Sequence, residues 1–230
     1  GLNHITWIQS LRERASGRDL YPEFCARLRA MPPTFEPLSR RVCDAFGLYP
    51  ATGDGHAGEY FPFAHETSDL RGYDFDGYAA RGAELDARVD RANQDDSALK
   101  EFVAWDTSER AARIIAGIVN DWREYEIAVN VVNHGALPGL PDWAVVEVPG
   151  VVTATGILPL RVSALPPAIT AHLNQQIAIQ DRVVEAAVHG DRNAALQALL
   201  LDPLVTSYTD AEKMLGELLT AHQDFLPAFK

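Results

Sequence analysis

Residues Glu124–Asn133, EYEIAVNVVN, decide the fold class. Apolar and polar side chains alternate with a period of two and β-branched residues dominate, which predicts a half-buried strand. Working outward, Ala144–Val152 (AVVEVPGVV) predicts a second strand. Pro149 within it points to a bulge or an edge, because proline brings no ladder N–H. Gly156–Val162 predicts a short third strand. Asn133-His134-Gly135 and Leu137-Pro138-Gly139-Leu140-Pro141 form a broad connection between the first two.

Helical patterns lie on both sides. Before the strands come Leu20–Met31 with Asp19 as its cap, about Glu36–Phe46, a helical piece near Glu59–His65, and Asp76–Asn93. Ser108 caps Glu109–Trp122, which gathers Ile114, Ile115, Ile118 and Val119 on one side. After the strands come Pro166–His189 closed by Gly190, Asn193–Leu201 started by Asp191, and Asp210–His222 capped by Thr209. Only Ile5–Arg12 reads as a strand near the start. Strands in the middle and helices at both ends predict an α+β fold, a mostly antiparallel sheet flanked by helices.

The 230 residues are 47% hydrophobic and 23% charged, a globular composition. No apolar run reaches the ~18–20 residues of a membrane span, so no membrane partner is expected. A formal net charge of −12 argues against a nucleic-acid partner, which needs clustered Lys and Arg. Cys25 and Cys43 make neither a disulfide framework nor a zinc set, and a reducing cytoplasm is the expectation. The chain opens on Gly1-Leu2-Asn3-His4 without an initiator methionine, which suggests a domain of something longer.

The chemistry concentrates in Gly47–Phe63, GLYPATGDGHAGEYFPF. Four glycines there let a backbone turn tightly among Asp54, His56, Glu59 and Tyr60, groups able to move protons. His172, His189 and His222 fall on helices and read as structural or solvated. His4 stands apart, in a turn-like tetrapeptide that feeds Trp7, and is a candidate metal ligand. No glycine-rich phosphate loop follows a strand, so no nucleotide site is visible in the chain.

Gly1-Leu2-Asn3-His4 with Trp7 resembles the G-[IL]-N-H-x-x-W motif of glycoside hydrolase family 4. Val129-Asn130-Val131-Val132-Asn133-His134-Gly135, Leu140-Pro141-Asp142 and Val145-Val146-Glu147-Val148-Pro149 look like that family's long signature. Gly156-Ile157 with Pro159, Leu165-Pro166-Pro167, Glu185-Ala186-Ala187 and Gly190-Asp191 through Leu201-Asp202-Pro203 are similar too. The resemblance covers most of the chain in order and is weakest from about Leu70 to Ala104.

The resemblance implies the C-terminal catalytic and oligomerisation domain, residues 1–230, of an NAD- and manganese-dependent glycosidase. Its fold would be that of the C-terminal domain of lactate/malate dehydrogenase-like enzymes. Such enzymes depart from the two-carboxylate scheme of sugar cleavage. They oxidise the sugar at C3, remove the C2 proton and cleave by elimination. Carried over, His4 matches the metal ligand, Asp54 a base in some members, and Tyr60 the base of others. Asn3, His56, Glu59 and Asn133 would contact the sugar or its metal–water shell. The Rossmann NAD-binding domain has no counterpart in the chain, so NAD would be held elsewhere and the chain alone would be inactive. The substrate would be an α-linked glucoside, galactoside or galacturonide. A 6-phosphosugar is disfavoured because residues 53–60 offer no Arg or Lys. The alternatives are a non-catalytic assembly module and the substrate domain of a 2-hydroxyacid dehydrogenase-like enzyme.

Overall fold

The computed structural model describes residues 5–67, 75–104 and 110–229. In chain order the elements begin with β1 (Trp7–Ile8), α1 (Tyr21–Ala30), α2 (Pro37–Phe46), β2 (Tyr49–Pro50) and α3 (Gly53–Ala57). A 3-10 turn at Pro62–Glu66 precedes α4 (Phe75–Gln94), α5 (Asp96–Val103) and α6 (Ala111–Val119). Then come β3 (Glu124–Val132), β4 (Val145–Thr153) and β5 (Gly156–Pro159), and finally α7 (Pro167–His189), α8 (Arg192–Leu201) and α9 (Tyr208–Ala221). Helices predominate and the sheets are small and antiparallel, the expected α+β class. The chain divides into two compact units, one of residues 1–68, 125–151 and 157–230, the other of 69–124 and 152–156.

The first unit holds the main core. Ile5, Leu38, Val42, Val146, Ile169 and Leu173 are all but fully buried in it. Ile169 and Leu173 share a face of α7 at helical spacing, and Val146 and Val148 share a face of β4 at strand spacing. Gly150 is needed for close approach within the sheet. A Cβ there would sit 2.8 Å from Ile157 Cγ2 and 3.0 Å from Val129 Cγ2.

Pro149 is not at an edge. The strand order is β3-β4-β5, so β4 is central. Proline is tolerated because its carbonyl still serves the ladder, accepting Leu160 N–H at 2.8 Å. The strand expected over Ile5–Arg12 shrinks to two residues, since its partner is the two-residue β2, in antiparallel register Trp7↔Pro50 and Ile8↔Tyr49. Arg12 instead bridges Asp19. Asp19 does accept the Tyr21 N–H at 3.0 Å, although Leu20 occupies the N-cap position of α1. Asp191 caps α8 as expected, accepting Asn193 and Ala194 N–H at 2.8 and 3.1 Å. For α9 the cap is Ser207, whose hydroxyl accepts Asp210 N–H at 3.2 Å; Thr209 lies inside the helix.

The second unit contains α4, α5 and α6. Asp95 caps α5 through Ser97 N–H at 2.8 Å, and Arg113 pairs with Glu124 at 2.6 Å. Of the stripe expected on α6, Ile115 and Val119 stay exposed, while Gly117 is buried, its Cβ position 3.0 Å from Val152 Cγ1. Ser108 and Glu109 lie outside the described residues. No described helix is long and apolar enough to cross a membrane.

Cys25 on α1 and Cys43 on α2 are free thiols lining one cavity of about 30 Å³, with Leu28 and Arg40. Burial, then the neighbouring Cys25 and Asp44, push the Cys43 thiol up to about 11. The thiolate is the reactive form. A thiol raised to about 11 is thiolate to a far smaller extent at neutral pH than an ordinary exposed one. Iodoacetamide labelling of Cys43, followed by mass spectrometry, should be about a hundredfold slower than that of an ordinary exposed thiol. Labelling at the ordinary rate contradicts the burial.

Candidate active site

The start of the chain is tied to the glycine-rich turn by backbone pairing. Thr6 C=O accepts the Ala51 N–H at 2.8 Å, continuing the β1–β2 register toward Gly53. Thr6 Oγ1 donates to the Glu147 carboxylate of β4 at 3.2 Å. Apolar packing fixes this arrangement: Trp7 stacks on Phe46 at 6.1 Å, and Phe46 meets Phe61 edge-on at 5.7 Å. His4 and Asn3 themselves lie outside the described residues.

The turn uses glycine where the backbone requires it. Gly47 closes α2 at φ 87°, and Gly53 opens α3 at φ 74°. Asp54, in the first turn of α3, aims its carboxylate at the N-terminus of α2. Oδ2 accepts Leu38 N–H at 2.9 Å and Oδ1 accepts Ser39 N–H at 2.7 Å. Two amides that α2 cannot satisfy internally are thereby paired. A carboxylate offers about four lone-pair directions, so acceptor capacity remains on Asp54.

His56 Nδ1 and Glu59 Oε1 lie 2.9 Å apart, both exposed to solvent. Such a pair adds little stability. Its consequence is to hold the imidazole and the carboxylate side by side at the rim of the turn. Tyr60 is half-buried, and burial first, then the Glu59 charge, push its phenol up. That direction makes the tyrosinate scarce at neutral pH.

His172 reaches the same region from α7. It stacks on Phe61 at 4.9 Å and meets Tyr60 edge-on at 6.3 Å. Burial pulls its imidazole below the usual range, which keeps it neutral. It is a buried histidine in an aromatic cluster, in line with a structural reading. Its Nε2 has no hydrogen-bond partner among the described residues.

Asn133 is placed differently from its expected substrate contact. It is 0% exposed. Its Nδ2 donates to Leu137, Leu140 and Pro141 carbonyls at 3.1, 3.0 and 3.2 Å, and its Oδ1 accepts Leu137 N–H at 2.7 Å. The side chain thus organises the β3–β4 connection from inside, and its placement lends no support to a sugar contact. His134, beside it at φ 40°, completes the turn.

Two of the contacts around the turn, those of Glu36 and Glu147, have no signal in the sequence, whereas His172 is expected on its helix as a structural or solvated residue. Glu36 bonds the Asp54 N–H, Glu147 holds Thr6, and His172 backs Tyr60. Among the described residues no three His, Cys, Asp or Glu converge to hold a metal ion. The described residues therefore do not fit a metal by themselves.

A model of the family described as "Family 4 glycosyl hydrolase C-terminal domain" matches residues 1–205. An alpha-glucosidase of Erwinia rhapontici is 27% identical over 269 residues, spanning 100% of this chain and 56% of its own length. An alpha-galactosidase of Bacillus subtilis is 30% identical over 241 residues, spanning 100% and 55%. The 6-phospho-beta-glucosidase of Thermotoga maritima, solved with NAD and glucose-6-phosphate, superposes with a TM-score of 0.75. It is 21% identical and covers 98% of this chain and 54% of its own, a likeness of fold. The chain spans about half the length of the curated relatives it matches.

Proposed function

Because the chain belongs to the family 4 glycosyl hydrolases, as their C-terminal domain, we propose that it forms the sugar-facing half of a glycosidase active site. The remainder of the enzyme holds NAD, and His4 contributes one ligand to a divalent metal, manganese in this reading, completed by groups outside the described residues. The reaction implied by the family, C3 oxidation, C2 deprotonation and elimination, makes one demand on this chain. It must present a base to C2.

Asp54 fills that role, with Tyr60 the second candidate. His56 and Glu59, paired at the rim, orient the sugar hydroxyls; Asn3 contacts them from the start of the chain. The observation that carries this reading is the Thr6–Ala51 hydrogen bond of 2.8 Å. It ties the segment that follows His4 to the entry of the turn that bears Asp54. The substrate is an α-linked hexoside or hexuronide. Two relatives matched along the whole chain are named for alpha-glucosidase and alpha-galactosidase activity, and residues 53–60 offer no Arg or Lys to fork a phosphate.

The test joins this chain to a family NAD-binding domain and follows p-nitrophenyl α-hexosides in D2O. Turnover that needs NAD and manganese, with deuterium entering at C2, supports the reading. Turnover without C2 exchange refutes it. On this reading the chain alone should be inactive, since the hydride chemistry requires the NAD held by the rest of the enzyme.

A role in assembly stands beside catalysis. Val183, Val184 and Val188 on α7 and Leu218 on α9 are exposed at 51, 60, 64 and 47%. Apolar side chains exposed along α7 favour a subunit contact, and a homo-oligomer is the proposed state. Val184→Glu should lower the mass of the assembly in light scattering; an unchanged mass removes α7 from the contact.

A further inference from the structure

Glu36 opens α2 with φ 42° and ψ 55°, a left-handed conformation that a long side chain adopts only under constraint. Its own carboxyl group supplies the constraint. Oε2 accepts the Asp54 N–H at 2.5 Å, and both Glu36 oxygens stand over Gly53, 3.5 and 3.6 Å from where a Cβ would be. Asp54 reciprocates through Leu38 and Ser39 N–H. Each acid therefore caps the start of the helix that bears the other, across a gap of 18 residues. With Glu36 removed, the Asp54 peptide loses this bond and its carboxyl loses the neighbouring Glu36 carboxyl, leaving Leu38 and Ser39 N–H as the carboxylate's remaining anchors.

We propose that Glu36 is a positioning residue for Asp54, fixing the direction in which Asp54 presents its unused lone pairs to the sugar. This rests on the reading of Asp54 as the base; Glu36 itself touches no substrate. Burial, chiefly, raises the Glu36 carboxyl above its usual range, so a neutral group suits the position. Glutamine keeps an acceptor oxygen for the Asp54 N–H. Glycine takes the left-handed backbone without strain but offers no acceptor.

In the full-length enzyme, Glu36→Gly should lower kcat for C2 exchange by about tenfold to a hundredfold, the scale of a misplaced catalytic group, with KM within about twofold. Its thermal midpoint should stay near that of the wild type, whereas a merely structural cap would show the opposite pattern. Glu36→Gln should restore kcat. Glu36→Asp, one methylene short of the Asp54 N–H, decides the matter if the glycine variant does not fold: kcat falls in it and not in Glu36→Gln. Wild-type kcat in Glu36→Gly or Glu36→Asp, with Asp54→Asn inactive, overturns the positioning role and leaves Asp54 as base. Exchange that persists in Asp54→Asn overturns the base reading, and the role of Glu36 falls with it.

Discussion

Asp54→Asn is expected to slow C2 proton exchange by about 10²- to 10⁴-fold, the range for losing a positioned general base. The fold should survive. The amide oxygen can still accept one of the two bonds from Leu38 and Ser39 N–H. The other N–H would face an NH2 group, at a cost of about 1–2 kcal/mol for one lost partner. Exchange in D2O and the thermal midpoint, measured on the same preparation, separate the two effects. A large loss of stability with exchange intact would make Asp54 a helix cap and nothing more. Tyr60→Phe is the companion variant. Burial raises the Tyr60 phenol, so its loss should cost far less than that of Asp54.

Gly190→Ala is expected to give the largest loss of stability. Gly190 closes α7 at φ 66° and ψ 26°, where its N–H bonds Ala186 C=O. A side chain in that region costs about 1–2 kcal/mol by itself. An added Cβ would also overlap the Ala228 carbonyl, lying 2.5 Å from its carbon and 3.2 Å from Phe229 N. These atoms are backbone, so no rotamer change relieves the overlap, and the 3-10 turn at Pro227–Phe229 must leave its seat. A total of about 3 kcal/mol is reasonable for strain plus the lost contact. At this chain length that lowers the midpoint by roughly 6–12 °C. Gly17, at φ 72° with nothing within 4 Å, is the control. There, alanine meets strain alone, and the loss should be about a third to two-thirds as large. Equal losses at the two positions would contradict the seating of the C-terminal turn on Gly190.

How much of this the sequence discloses follows from how local each cause is. The alternation in Glu124–Asn133 and the long apolar pattern ending at Gly190 are written in neighbouring residues, and β3 and α7 fall where those patterns run. Asp191 works the same way, as a cap read three residues ahead. Pro149 misleads because its position in a sheet depends on whether β5 arrives beside it. Ser207 and Thr209 are both good caps, and only the backbone conformation, φ −130° at Ser207, separates them.

The candidate site divides in the same way. The proton-moving groups from Asp54 to Tyr60 are visible because glycines crowd them. The partnership of Asp54 with Glu36 is not, since it depends on a left-handed backbone at a residue type that gives no hint of one. Asn133 shows the converse. Its place in a family signature suggested a sugar contact, while its four short bonds to the Leu137–Pro141 segment explain the residue by loop architecture.

On the proposed reading, a metal held through His4 and the turn bearing Asp54 face one sugar-sized space. Paramagnetic broadening measures this directly. In the full-length enzyme with selectively labelled histidines, Mn2+ should broaden the His56 imidazole resonance, with Mg2+ as the diamagnetic control. The broadening should vanish in His4→Ala while the spectrum of the fold persists. A His56 signal that stays sharp in active, manganese-loaded enzyme would place the metal and the turn apart, and would contradict the account.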